Sequence, residues 1–96
     1  MVAFVIAQIK ITDPDTFQEY MDRAPATISQ YGGRHIARGA KTETLQGEEN
    51  TTRNGLIQFE SMDDAIAWFN SPEYQEVKKI RDRSSESHFM VWDGVD

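Results

Sequence analysis

The segment Ala3–Ile11 leaves this chain the fewest choices. It is rich in β-branched and aromatic residues, which favour extended backbone, and strand alternation puts Phe4 and Ile6 on one face and Val5, Ala7, Ile9 and Ile11 on the other. Both faces are apolar, so something must cover each. The same stretch lacks a basic leader and a small-residue cleavage site, and a run of about ten residues is far too short to cross a bilayer. It reads as a strand of a cytoplasmic protein with no membrane partner.

The length of 96 residues fits one domain, 1–96, without room for a second independent core. With 39% hydrophobic and 27% charged residues, the chain has the balance of a folded globular protein rather than a disordered one. The formal net charge of −6 argues against nucleic acid, whose phosphates attract a Lys/Arg-rich face. There is no cysteine, which removes disulfide scaffolds, thiolate zinc sites and cysteine nucleophiles.

Further elements follow in order. Asp13-Pro14 is a helix start, because the Asp side chain can cap free N–H groups and Pro at the first helical position needs no hydrogen bond. Phe17, Tyr20, Met21, Ala24, Ile28 and Tyr31 then form one apolar stripe, with Pro25 expected to kink or divide the helix. Gly32-Gly33 ends it, and a strand Arg34–Arg38 follows. Gly39 permits a bend, after which Lys41–Gln46 is expected to continue that strand with Leu45 as its apolar contact. Gly47 to Gly55 reads as a hairpin loop and Gly55–Glu60 as the third strand. Ser61 opens a second helix with Met62, Ala65, Ile66 and Phe69 as its buried stripe, and Ser71-Pro72-Glu73 restarts it through Tyr74, Val77 and Ile80. The last strand is expected at His88–Asp93.

The order βαββαβ predicts an α+β, ferredoxin-like fold: a four-stranded antiparallel sheet with the helices on one face. The other face would carry a share of Phe4, Ile6, Leu56, Met90 and Trp92, an apolar area too large to leave bare. A homodimer joined sheet to sheet would cover it.

Tyr31-Gly32-Gly33-Arg34, Ala37-Arg38-Gly39, Leu45-Gln46-Gly47, Gln58-Phe59-Glu60-Ser61, Ala67–Tyr74, Arg81 and Trp92-Asp93-Gly94 stand in the order of a known pattern. Through them the chain resembles the domain-of-unknown-function family DUF1330, of the dimeric α+β barrel superfamily. It departs where the family commonly has Glu in place of Gln46, Pro after Phe59 and Glu in place of Asp93. The resemblance implies a dimeric α-β barrel but no agreed activity. The superfamily includes cofactor-free monooxygenases, muconolactone isomerases and haem-dependent chlorite dismutases, so the fold does not select a reaction.

Alternation across Arg34–Arg38 predicts Arg34 and Arg38 on one face and His35 on the other. Two guanidinium groups side by side can hold a carboxylate, though pairing with Glu43, Glu60 or a partner's acids would occupy them equally well. Tyr20, Trp68, Tyr74 and Trp92 are large groups with polar tips, suited to a pocket for a flat organic ligand and also to plain core packing. Glu60, after the third strand, is a candidate base or an ion-pair partner of Arg34 or Arg81. His35 and His88 are the two imidazoles and lack any companion ligand motif, so neither a metal nor another cofactor is expected. The candidate ligand-binding set is therefore Arg34, Tyr20, Glu60, Trp68, Tyr74 and Arg81. Two functions fit: a cofactor-free enzyme or binder acting on a small organic acid or aromatic compound, and a non-catalytic dimeric module that binds a metabolite or a protein.

Overall fold

β1 (Ala3–Ile11) is hydrogen-bonded along both edges, antiparallel to β3 (Arg53–Phe59) on one side and to β4 (Ser85–Asp93) on the other. β2 (Arg34–Arg38) pairs with the far edge of β3, which gives the strand order β2-β3-β1-β4. The structure is a computed structural model that describes residues 1–39 and 41–95. Helices α1 (Pro14–Gln30), α2 (Met62–Phe69) and α3 (Pro72–Ser84) pack on the sheet face that carries Val5, Ala7, Ile9, Ile57 and Phe59. The architecture is the ferredoxin-like βαββαβ arrangement, with its second helix in two pieces.

Each helix begins at the cap its sequence announces. Asp13 accepts from the Thr16 backbone N–H and hydroxyl, Ser61 accepts from the Asp64 N–H, and Ser71 accepts from the Tyr74 N–H. Ser71 is buried, and its hydroxyl also donates to the Trp68 carbonyl, so one side chain ends α2 and starts α3. At the end of α1, Gly32 takes a φ of 78°, and the Gly33 N–H returns to the Ile28 carbonyl at 2.9 Å.

Pro25 neither divides α1 nor ends it, since helix runs continuously from Pro14 to Gln30. Proline does remove the N–H that the Met21 carbonyl would accept. That carbonyl instead accepts from Arg38 Nη2 of β2. The lost helical bond thereby becomes a tie between helix and sheet.

Several expected boundaries shift. Residues 41–46 form no strand, and Leu45 is 97% exposed rather than an apolar contact. Here the chain is organised by side-chain hydrogen bonds, Asn54 Nδ2 donating to Thr42 and the Thr52 hydroxyl donating to Asn50, which compete with ladder pairing. β3 starts at Arg53 rather than Gly55, and β4 at Ser85 rather than His88. In α2 the buried residues are Ala65 and Trp68, while Ile66 is 44% exposed.

The face away from the helices carries cross-strand rows. Phe4 stands opposite Trp92 on one side and Gln58 on the other, and Ile6 stands opposite Met90 and Leu56. Trp92 remains 56% exposed.

Candidate functional site

A β-bulge decides where the basic side chains of β2 go. Arg34 pairs with Gln58 and His35 with Ile57, but the register slips before Ala37, which pairs with Leu56 and leaves Arg38 opposite Gly55. One extra residue reverses alternation. Arg38 therefore shares the helix-side face with His35, and Arg34 is left on the open face beside Gln58. This corrects the expectation that Arg34 and Arg38 lie together with His35 opposite.

The inward residues of β2 and β3 meet α1 around a cavity of about 50 Å³. Its floor is apolar, including Ala7, Phe17, Ala24, Ile28 and Ile57, and the polar groups at its rim are His35, Arg38, Arg53, Asn54 and Tyr20. Gly39 helps to set the rim: its φ is +61°, and a Cβ there would stand 2.5 Å from Arg53 Nη1. Only glycine lets the Arg53 guanidinium lie against that backbone. Burial, reinforced by the Arg38 and Arg53 charges, holds the His35 imidazole below its ordinary range. Among the described residues no carboxylate pairs with Arg38 or Arg53.

Behind this cavity lies a buried aromatic cluster. Trp68 is 0% exposed, stacks at 4.1 Å between ring centroids on Tyr74, and donates from Nε1 to Thr27 Oγ1 at 3.1 Å. Tyr20 Oη and Tyr74 Oη are 2.7 Å apart, and Arg81 Nη1 donates to Tyr74 Oη at 3.2 Å. The Arg81 guanidinium lies 4.1 Å from the centroid of Phe89 and 5.9 Å from that of Phe69, in cation–π contact. Burial pushes both phenols above their usual range.

Of the candidates named from sequence, the fold gathers Tyr20, Trp68, Tyr74 and Arg81 in and around this cluster. Arg34 and Glu60 are exposed and outside it, and Glu60 forms no ion pair among the described residues. Sequence reasoning missed Arg53, because Gly55 looked like a strand boundary. The alternation Arg53, Gly55, Ile57, Phe59 was the signal that places it inward.

A second, roomier hollow of about 180 Å³ lies between α2 and β4, lined by Val5, Ala65, Trp68, Phe69, Phe89 and Val91 among others, with Asn70 as its one polar side chain. No group of three or more His, Asp or Glu side chains converges on a metal-sized site among the described residues. Among the described residues no helix is long and apolar enough to cross a membrane.

Comparison with known proteins places this geometry in a wider group. No curated protein matches the chain. Among solved structures, a protein of unknown function from Rhodopseudomonas palustris matches with a TM-score of 0.78 at 12% identity, over 99% of this chain and 83% of that one. A dimeric ferredoxin-like protein of unknown function from Jannaschia sp. CCS1 matches with a TM-score of 0.68 at 12% identity, over 98% and 100%. SnoaB, a cofactor-independent oxygenase from Streptomyces nogalater, matches with a TM-score of 0.67 at 12% identity, over 99% and 94%. At such identities the likeness establishes the fold alone. The sequence model of one family spans residues 2–95, nearly the whole chain, and the protein therefore belongs to the family described as domain of unknown function DUF1330.

Proposed function

We propose that this protein binds a short organic acid in the cavity beneath α1, with the carboxylate at Arg38, Arg53 and His35 and the apolar body on the floor. The observation that carries the reading is the charge pattern of the rim. The chain has 16 Asp and Glu against 10 Lys and Arg, yet the charged side chains at this cavity are two arginines, unpaired with acid among the described residues. Guanidinium groups bond carboxylates in a planar fork, and an apolar floor with few polar groups is the common form of a small-molecule site. A water needs roughly 10–15 Å³ of such space, so 50 Å³ suits a body of about four heavy atoms. That favours an aliphatic acid over a flat aromatic one.

The acting unit in this reading is a homodimer joined through the open sheet face, supported by the exposed Trp92 and Met90 and by solved structures of the same fold described as dimeric. The same cavity serves a carrier or a cofactor-free enzyme, and SnoaB shows that the fold accommodates the latter. Pentanoate titrated into 15N-labelled protein tests the binding step. The expected result is saturable shifts of the Arg38, His35 and Arg53 signals, with those of Ala65, Asn70 and Val91, which line the second hollow and not this cavity, unmoved. Shifts confined to that hollow, or none, would refute it.

A further inference from the structure

Acid binding at the rim leaves the buried tyrosine pair unused, and the hydrogen-bond accounting of that pair is incomplete. A guanidinium only donates, so Tyr74 Oη must accept from Arg81 Nη1. Two phenol protons then remain for the single 2.7 Å contact between the hydroxyls. If Tyr20 were the donor, the Tyr74 proton would be stranded on a residue that is 0% exposed and whose hydroxyl has no further partner among the described residues. A stranded buried donor is costly. If Tyr74 is the donor, the chain runs from Arg81 to Tyr74 to Tyr20, and the spare proton belongs to Tyr20. Of the two tyrosines, Tyr20 is the one that lines the cavity.

We infer that the Tyr20 hydroxyl donates this proton to a second oxygen of the ligand, so that the acid bound is an oxo acid, with a carbonyl a few atoms from its carboxylate. The inference rests on the carboxylate reading above and adds a second point of recognition to it. A carbonyl suits the site better than a ligand hydroxyl, which would bring a proton of its own. Of the side-chain acceptors at the rim, Asn54 Oδ1 already accepts from Asn50 Nδ2, and His35 is engaged by the carboxylate in the parent reading.

Arg81 also acquires a purpose in this arrangement. It is 5% exposed, and among the described residues its Nε has no hydrogen-bond partner and its one carboxylate contact is Asp82 at 3.4 Å. A buried cation so lightly compensated polarises whatever accepts from it, and each donor in a hydrogen-bonded chain strengthens the next. Burial keeps Tyr20 protonated at neutral pH, while the charges of Arg81 and Arg38 both act on its oxygen. The donor therefore stands between an inner and an outer guanidinium.

The test compares pentanoate with 2-oxopentanoate and 4-oxopentanoate by NMR titration. Wild-type protein and Arg34→Ala should bind at least one oxo acid about tenfold tighter than pentanoate, since a site built to hydrogen-bond an oxygen rejects the analogue lacking it. Tyr20→Phe should reduce that ratio to less than about twofold, and Tyr74→Phe, which keeps Tyr20 but removes the hydroxyl that links it to Arg81 Nη1, should give an intermediate ratio. If Tyr20→Phe does not fold, a reduced ratio in Tyr74→Phe supports the relay and an unchanged one refutes it. Pentanoate binding that depends on Arg38 but shows no oxo preference, or a preference intact in Tyr20→Phe, overturns this inference alone. Absence of any carboxylate binding overturns the parent reading and this inference with it.

Discussion

The inward and outward faces of the sheet are built from similar apolar residue types and end in opposite environments. Inward, Val5, Ala7, Ile9, Ile57 and Phe59 are buried under three helices of the same chain. Outward, Phe4, Ile6 and Leu56 are half-buried, and Met90 and Trp92 are exposed. The arginines of β2 divide in the same way, Arg38 going to the cavity and Arg34 to the open face. Apolar content alone does not distinguish a core from an open face; what separates the two is whether the chain itself supplies the cover. Cationic content is equally ambiguous, and a one-residue bulge decides which arginine faces a cavity.

The largest effect expected from breaking this contrast lies inward. Trp68→Ala removes a fully buried ring and its bond to Thr27, and should cost about 3–5 kcal/mol in denaturant unfolding. A loss under about 1 kcal/mol would mean that the cluster is not the core of the fold. The outward counterpart is Ile6→Asp, which sets a charge in the middle of the open face. It should leave the fold intact and raise the dimer dissociation constant by more than about a hundredfold, because an unpaired charge buried at an interface costs about 3–5 kcal/mol. Sedimentation of wild-type protein as a monomer at micromolar concentration would end the sheet-to-sheet account.

The smallest effect is one of pH. Burial first, and the Arg38 and Arg53 charges next, hold the His35 imidazole below its ordinary range. The folded state therefore prefers the neutral ring. The corresponding stability is complete above the unfolded value and is lost as pH falls through the lower folded value. A modest fall in thermal midpoint below about pH 6.5, absent in His35→Gln, is expected. Bound carboxylate should raise the His35 pKa, readable from its imidazole signals, since an anion beside the ring favours its charged form.

The features legible from sequence were those carried by periodicity and caps. β1, both proline-marked helix starts and the order βαββαβ stand where period-two and helical patterns put them. Less legible was whatever depends on pairing. The bulge in β2 exists only relative to β3, so alternation within β2 alone misplaced Arg38, and Gly55 concealed the two residues of β3 before it. α2 misled for another reason. Met62, Ala65, Ile66, Ala67, Trp68 and Phe69 are apolar nearly all round a helix of 8 residues, so the pattern cannot choose its buried side. Tyr20, Tyr74 and Arg81 were nameable as large or charged groups on helical stripes, but their mutual contact, 54 residues apart for the tyrosines, is a product of α1 packing on α3.

In the proposed reading the protein meets an acid in the inward cavity, through Arg38. Pentanoate affinity measured side by side for wild type, Arg38→Ala and Arg34→Ala tests it most directly. Losing a charge-assisted hydrogen bond of about 1.5–3 kcal/mol should weaken Arg38→Ala by about ten- to a hundredfold, with Arg34→Ala within about twofold of wild type. The reverse order, or equal affinity in all three proteins, would contradict the account.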